Sequence, residues 1–349
     1  MYSIKKFEFT KNKTAWNVFI KNNSEGHFFF ETDYLFYHKE RFEDFSLLIY
    51  NQKNELICVL PACFEKIEEE KIGEEKNIFS HKGLTFGGFV FKDKLSFLEK
   101  RKCVLDCLHF LEKYNFKYLI IKPIPSFFLM DKNEAIHRIL NDNLLESTIL
   151  RVEANCVIDL PTSKTDYQNT TYQNYSKRKK RNLKKASQAN LEIEKIKIAT
   201  DFWKIIEQNL RCRHNLLPVH SAIEIQLLHD KFSQNIHFLI VKNSKNDIIA
   251  CSVVFIYQST IHLQYLAATK KGKETNALDF LINYLVENHS VFFNKSTPSK
   301  GFEYLSLGVS DLRNTNEIRD NNSINEGLFK WKEEFGAKVF SHFVYQIAL

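Results

Sequence analysis

Apolar residues fall in short bursts whose spacing alternates between period two and a period near 3.6. In the first half, FSLLIYN (45–51) and ELICVLPACF (55–64) predict two strands joined by the polar turn QKN. Residues 94–114 carry Leu98, Leu105, Leu108 and Leu111 at helical spacing. KYLIIKPI (117–124) then reads as a buried strand and AIHRILNDNLL (135–145) as a short helix. The second half repeats the theme. DFWKIIEQNLRCRH (201–214) and SAIEIQLLHDKF (221–232) predict amphipathic helices, followed by the strands IHFLIVKN, IIACSVVFIY and TIHLQYLAAT. Residues 270–289 switch to helical spacing through Ala277, Leu281, Tyr284 and Leu285. FEYLSLGVS is a strand, SINEGLFKWKEEFGA a helix closed by Gly336, and KVFSHFVYQIAL a last strand. Ser221 with Glu224, and Ser323 with Glu326, have capping-box spacing. The halves read as diverged copies of one α/β unit.

Between VIDLP (157–161) and residue 176 lies TSKTDYQNTTYQNY, poor in aliphatics and read as a linker or an exposed lead-in to a helix. It sets the expected boundary: domains at 1–160 and 161–349, the second opening with a basic helix. One apolar stretch is interrupted differently. SHKGLTFGGF (80–89) spends Gly83, Gly87 and Gly88 where glycine weakens a strand and packs against nothing. Either the backbone turns a tight corner there or a ligand approaches it closely.

With 349 residues the chain is long enough for two cores, and 44% apolar with 26% charged residues fits a globular class. The N-terminus shows no apolar run of the secretory type, and no apolar stretch approaches the roughly 20 residues of a membrane span. Seven cysteines without scaffold spacing suggest reduced thiols and a cytoplasmic address. Cys103 and Cys107 find no second ligand pair, so no metal is expected. Charge is concentrated: SKRKKRNLKK (176–185) holds seven positive charges and no acid, and the whole chain has a formal charge of +7. Tyr175, Leu183 and Ala186 give this segment a thin apolar stripe, so it is expected to form a mostly solvated helix that meets anions.

Antiparallel strands, a strand running through a glycine turn into a helix, and a repeat of that order resemble the GNAT acyltransferase fold. Two units in one chain resemble the FemABX-like tandem-GNAT transferases, in the compact form without a helical arm. SHKGLTFGG, YSKRKKRNLKKA, HLQYLAATKKGKETNALDFLI and NEGLFKWKEEFGAKVFSHFVYQI carry the resemblance. It implies an α/β (α+β) fold of two GNAT-like domains, each a mixed, mostly antiparallel sheet flanked by helices. It also implies an N-acyltransferase of cell-envelope or polysaccharide biosynthesis. The acyl group would pass from acyl-CoA or acyl carrier protein to an amino group of an amino sugar or envelope precursor, with no permanently bound cofactor. The alternative within the family is an aminoacyl-tRNA donor and a peptidoglycan-precursor acceptor. Absence of a spanning segment leaves peripheral membrane contact open. A rival class, a non-catalytic nucleic-acid-binding module, would use the basic segment. Against it, the aromatics (14%) do not alternate with the basic residues.

Candidate residues follow. Direct transfer needs a base and donors to a polarised carbonyl. His81, His220, His262 and Gln264 are the catalytic candidates, expected to line one cleft between the halves. On IHLQYL, alternation places His262 and Gln264 on one face and Tyr265 on the other. Thr85, Gly87, Gly88, Glu224, Tyr265 and Ser310 are candidate substrate contacts, although a capping box already accounts for Glu224. In ATKKGKETNA, Gly272 fits the family's phosphate turn, but Glu274 or Thr275 stands in place of its usual second glycine. Gly272, Lys273, Lys177, Arg178 and Arg181 are the candidates for the donor's phosphates.

Overall fold

The computed structural model describes residues 1–37, 39–65, 76–293, 301–311 and 324–349. They fall into two units, one of residues 1–153 with 341–349 and the other of residues 154–311 with 324–340.

The first unit begins with β1 (Ser3–Lys6), α1 (Phe9–Lys21) and α2 (Thr32–Leu35). There follow β2 (Phe42–Asp44), β3 (Leu47–Tyr50), β4 (Leu56–Leu60), β5 (Cys63–Glu65), β6 (Lys76–Ser80) and β7 (Val90–Phe91). α3 (Phe97–Leu111), β8 (Phe116–Ile121), α4 (Ala135–Leu140) and the start of β9 (Ser147–Asp159) follow. β1, β3, β4 and β7 form one antiparallel sheet. In the other, β2, β5 and β6 pair antiparallel and β6 pairs parallel with β8. Ile49, Ile57, Ile78, Val104, Leu108, Leu119 and Ile139 share one core. α3 is started by a complete capping box of Ser96 and Glu99. It buries Cys103, Val104, Cys107, Leu108 and Leu111. Leu98, expected on the buried face, is 71% exposed. It lies in the first turn, ahead of the stripe that Cys103 and Cys107 complete.

In the second unit come α5 (Lys164–Asp166), α6 (Lys177–Ser187), β10 (Glu192–Ile196), α7 (Trp203–His214) and α8 (Ala222–Lys231). β11 (Ile236–Lys242), β12 (Ile248–Tyr257), β13 (Thr260–Ala268), α9 (Lys270–Glu274), α10 (Ala277–Phe292) and β14 (Tyr304–Val309) follow. α11 (Glu326–Glu333) and the start of β15 (Lys338–Ala348) complete it; β15 ends in the first unit, where it pairs with β8. The sheet order is β10-β11-β12-β13-β14-β9, antiparallel except for the parallel pair β13–β14. α10 and α6 cover one face, where Leu281, Leu285, Leu183 and Tyr175 pack with Val254, Ile256, Ile261 and Leu263. The polar stretch 162–175 is a lead-in of helical turns, anchored by the buried Tyr167, whose hydroxyl donates to Asn283 Oδ1 (2.7 Å). Ser221 and Glu224 form the expected capping box on α8. Ser323 lies outside the described residues; the N-cap of α11 is Asn325, which accepts from Leu328 N–H.

Candidate functional site

The two parallel strand pairs end differently. In the first unit the β6–β8 ladder runs to Ser80 opposite Ile121, and the next carbonyl, Lys122, accepts from Gly87 N–H (2.7 Å). The glycine stretch thus folds back onto the end of its own strand. Gly88 N–H donates to Ser80 Oγ (2.9 Å), which donates to the Pro61 carbonyl (2.5 Å). A Cβ on Gly87 would stand 2.1 Å from the Ser80 carbonyl oxygen, so only glycine fits. His81 is buried, its Nδ1 2.7 Å from the Lys82 carbonyl, and Thr85 is half-buried. Gly87→Ala is expected to cost at least about 1–3 kcal/mol, the usual penalty of forced overpacking. Urea unfolding measures it; a change under about 0.5 kcal/mol would show that this backbone contact is dispensable.

In the second unit the β13–β14 ladder holds Thr260–His262 against Tyr304–Ser306. Beyond it each strand follows its outer neighbour, β13 along β12 and β14 along β9. Irregularities on both sides drive the strands apart. On β13, Val254 pairs with Leu263 and Val253 with Tyr265, which leaves Gln264 as an extra residue in a bulge. On β14 the register shifts between Ser306 and Val309, around Gly308 at φ +71°.

The bulge corrects the expected facing. Tyr265 pairs with Val253 and His262 with Phe255, two residues apart on β12, so Tyr265 and His262 emerge on the same face. An inserted residue resets alternation beyond it. Tyr265 is met by α7 and by the segment before α8. Its ring lies 5.4 Å from Trp203, and its hydroxyl is 2.8 Å from His220 Nδ1. His262 Nδ1 is 3.0 Å from Ser306 Oγ, and a Cβ on Gly308 would lie 3.7 Å from His262 Cε1. The structure thus brings His220 to Tyr265 and His262 to Ser306 on either side of the bulged Gln264.

Other candidates have structural work. Glu224 Oε2 accepts from Ser221 N–H (2.7 Å), closing the capping box. Ser310 is buried, its Oγ 3.5 Å from Cys156 Sγ. Gly272 packs α9 onto β12, since a Cβ there would stand 2.1 Å from the Ile249 carbonyl oxygen. Its N–H is taken by Thr269 Oγ1 (3.1 Å). Lys270, Lys271 and Lys273 are exposed on that turn.

The basic helix α6 is not simply solvated. Lys179 is fully buried, with Nζ 2.8 Å from Asp279 Oδ1, 3.8 Å from Glu334 Oε2 and 3.9 Å from the Phe335 ring centroid. Asn182 also donates to Asp279, and Arg178 donates to Glu334 (3.3 Å). Asp279 is in the first turn of α10. The amino-terminal half of α6, with exposed Lys177 and Arg181, is therefore held beside the start of α10.

Lys332 was not singled out in the sequence. It lies 3% exposed on α11 and donates to the Gly308 and Val309 carbonyls (2.8 and 2.7 Å), where β14 bends. Burial pushes its pKa down to about 8. The signal was present: Leu328, Lys332 and Phe335 follow helical spacing, so a lysine occupies the apolar stripe.

No family model matches the chain, and no curated protein matches it by sequence. Solved structures do. The crystal structure of FemX is 10% identical, with 99% of this chain and 97% of that one covered at a TM-score of 0.67. The C-terminal domain of a protein assigned as a lysylphosphatidylglycerol synthetase, from Agrobacterium fabrum, is 9% identical over 97% and 92%, at 0.55. L-PGS from Bacillus licheniformis is 10% identical over 87% and 84%, at 0.52. At such identities the likeness concerns fold. The chain has the FemX architecture of two GNAT-like units, and the expected FemABX-like, tandem-GNAT fold is borne out. Among the described residues no helix is long and apolar enough to cross a membrane.

Proposed function

We propose that the protein transfers an acyl group from an activated donor to an amine, with the second unit as the donor-binding half. The observation carrying this is the parting of β13 and β14 after His262 and Ser306, with a bulge on one strand and an irregular register on the other. Diverging strands offer backbone groups to an extended arm, as a strand added to a sheet would use them. At the corresponding place in the first unit the Lys122 carbonyl is already taken by Gly87 N–H. An amine attacks the donor carbonyl, a C–N bond forms, and the bond to the leaving sulfur or oxygen breaks. The proton shed by the amine goes to a base, and the leaving group gains one. His220 with Tyr265, and His262 with Ser306, are the groups placed to move that proton, and Gln264 marks where the strand turns toward the carbonyl. Lys177, Arg178, Arg181 and Lys273 would meet anionic groups of the donor.

The finer reading keeps a thioester donor, acyl-CoA or acyl carrier protein, and an amino sugar or envelope precursor as acceptor. Its support is that, among the described residues, exposed cations are densest on one helix (177–185) and one turn (270–273). An aminoacyl-tRNA donor is the second reading, favoured by the resemblance to the Fem group and the likeness to FemX. Titration with tRNA and with acyl-CoA at rising salt separates them, because gripping many phosphates makes affinity fall steeply with salt. Shallow dependence and transfer from a thioester support the first reading. Tight, steeply salt-dependent tRNA binding without thioester turnover would replace it by the second.

Direct transfer needs no covalent enzyme intermediate. Burial pushes the Cys63 thiol up to about 12 and raises Cys58, Cys107 and Cys251 as well. Single Cys→Ala variants that remain folded are expected to retain turnover, with no acyl-protein adduct by intact mass. A trapped acyl-cysteine would refute the direct mechanism.

A further inference from the structure

The outward side of α6 carries charge that the fold does not use. Of its seven cations, Lys179 is interior, Arg178 shares Glu334 and Lys180 donates to the Gln173 carbonyl (3.1 Å). Lys177, Arg181, Lys184 and Lys185 are exposed and make no ion pair among the described residues. At i, i+4, i+7 and i+8 they form a single stripe, about 12 Å long at 1.5 Å per residue. The stripe is rigidly mounted. Lys179 and Asn182 clamp α6 to Asp279, and Leu183 and Ala186 are buried beneath it. The clamp is at the start of α10, which follows β13 through α9, so the stripe begins at the donor end of the parted strands.

We propose that this stripe is the docking surface for an acidic carrier protein, which presents the acyl group on its prosthetic arm to β13 and β14. The proposal rests on the transferase reading and narrows its donor. Free coenzyme A needs a grip on its diphosphate at the turn after β13. There Thr269 Oγ1 already takes the Gly272 N–H, and Gly272 is packed against the Ile249 carbonyl, so the glycine that fits the phosphate turn does not itself offer its N–H to a diphosphate. A carrier-borne arm has one phosphodiester and derives its affinity from the protein contact instead, so it depends less on that turn. A long nucleic acid is less well matched, because the formal charge of +7 equals the positive charge of this one segment and leaves the remaining chain balanced. A 12 Å stripe fits one acidic helix.

The test uses holo acyl carrier protein of bacterial fatty-acid synthesis and the full-length protein. Binding is measured by calorimetry at 50 and 300 mM salt, with wild type and Lys184→Glu/Lys185→Glu. The variant changes exposed positions, so its melting temperature should match wild type. We expect carrier binding that weakens about tenfold in the variant and about tenfold with salt, with kcat/KM for acyl-carrier falling in parallel. No complex with wild type, or equal binding by the variant, overturns the proposal, as does tRNA binding that the same substitutions abolish. Transfer from acyl-CoA without carrier binding sinks the docking surface and leaves the transferase standing. Carrier binding at the stripe with no transfer from any donor keeps the surface and sinks the transferase.

Discussion

Lys332→Ala is expected to lower kcat about 100-fold while changing the donor KM less than about threefold. The lysine bonds to the two carbonyls where β14 bends away from β13, and its neighbour Gly308 borders His262. It fixes one wall of the candidate site, and as an ammonium it adds a buried positive charge there. Letting reacting groups shift by about 1 Å usually costs a factor of about 100 in rate. Its pH signature separates this role from simple structural support. Lys332 is held down to about 8 by burial, against roughly 10.4 in an unfolded chain. Between those values the unfolded state binds more protons, so the stability contributed by this group rises with pH. Activity should move the other way, declining as the ammonium is lost above about pH 8. Lys332→Arg retains the charge and is expected to recover part of kcat. A Lys332→Ala variant with full kcat, or a rate profile flat through pH 8–9 in wild type, would remove Lys332 from the proposed site.

Much of the second unit was legible because its elements are long and strongly periodic. The strands from Ile236 to Ala268 and the helices around Trp203, Ile225 and Leu281 follow the sequence pattern closely. The opening of the chain was not. α1 buries only Trp16 and Ile20 of its thirteen residues, which is too thin a stripe to register as a helix. β9 hides a carboxylate that pattern reading expects outside. Glu153 is buried because Lys122 and Arg151 reach it at 2.6 and 2.9 Å, and they outweigh burial to hold its pKa down. In the candidate site, alternation alone put Tyr265 on the wrong face, since a bulge is set by the pairing of two strands and leaves no mark in one of them. Both buried lysines of the second unit escaped for another reason. Lys179 falls between Tyr175 and Leu183 at four-residue steps, and Lys332 follows Leu328 in the same way. A charged residue on an apolar stripe is the visible sign of a buried ion or a buried donor, but only tertiary packing supplies its partner.

Lys179→Ala is expected to destabilise the protein by about 3–5 kcal/mol, whereas Lys184→Ala on the same helix should fall within about 0.5 kcal/mol of wild type. The two side chains look equivalent in SKRKKRNLKK. Lys179, however, points into a network where Asp279 accepts from Lys179, Asn182 and Trp331 (2.8, 3.0 and 2.8 Å), with Glu334 close by. The rings of Phe335 and Trp331 lie 3.9 and 4.8 Å from its ammonium. Burial pushes the Lys179 pKa down even with Asp279 and Glu334 opposing it, so desolvation outweighs the attraction of its partners. The large cost therefore comes from breaking the pair, which strands two carboxylates in a dry environment, rather than from a large net gain on forming it. Lys179→Met should be nearly as damaging for the same reason. Adding Asp279→Asn to it should recover part of the loss, because one of those charges is then gone. Urea unfolding of the four variants gives the comparison. Similar losses for Lys179→Ala and Lys184→Ala would mean that α6 is held by Leu183 and Ala186 alone, with its buried cation contributing nothing.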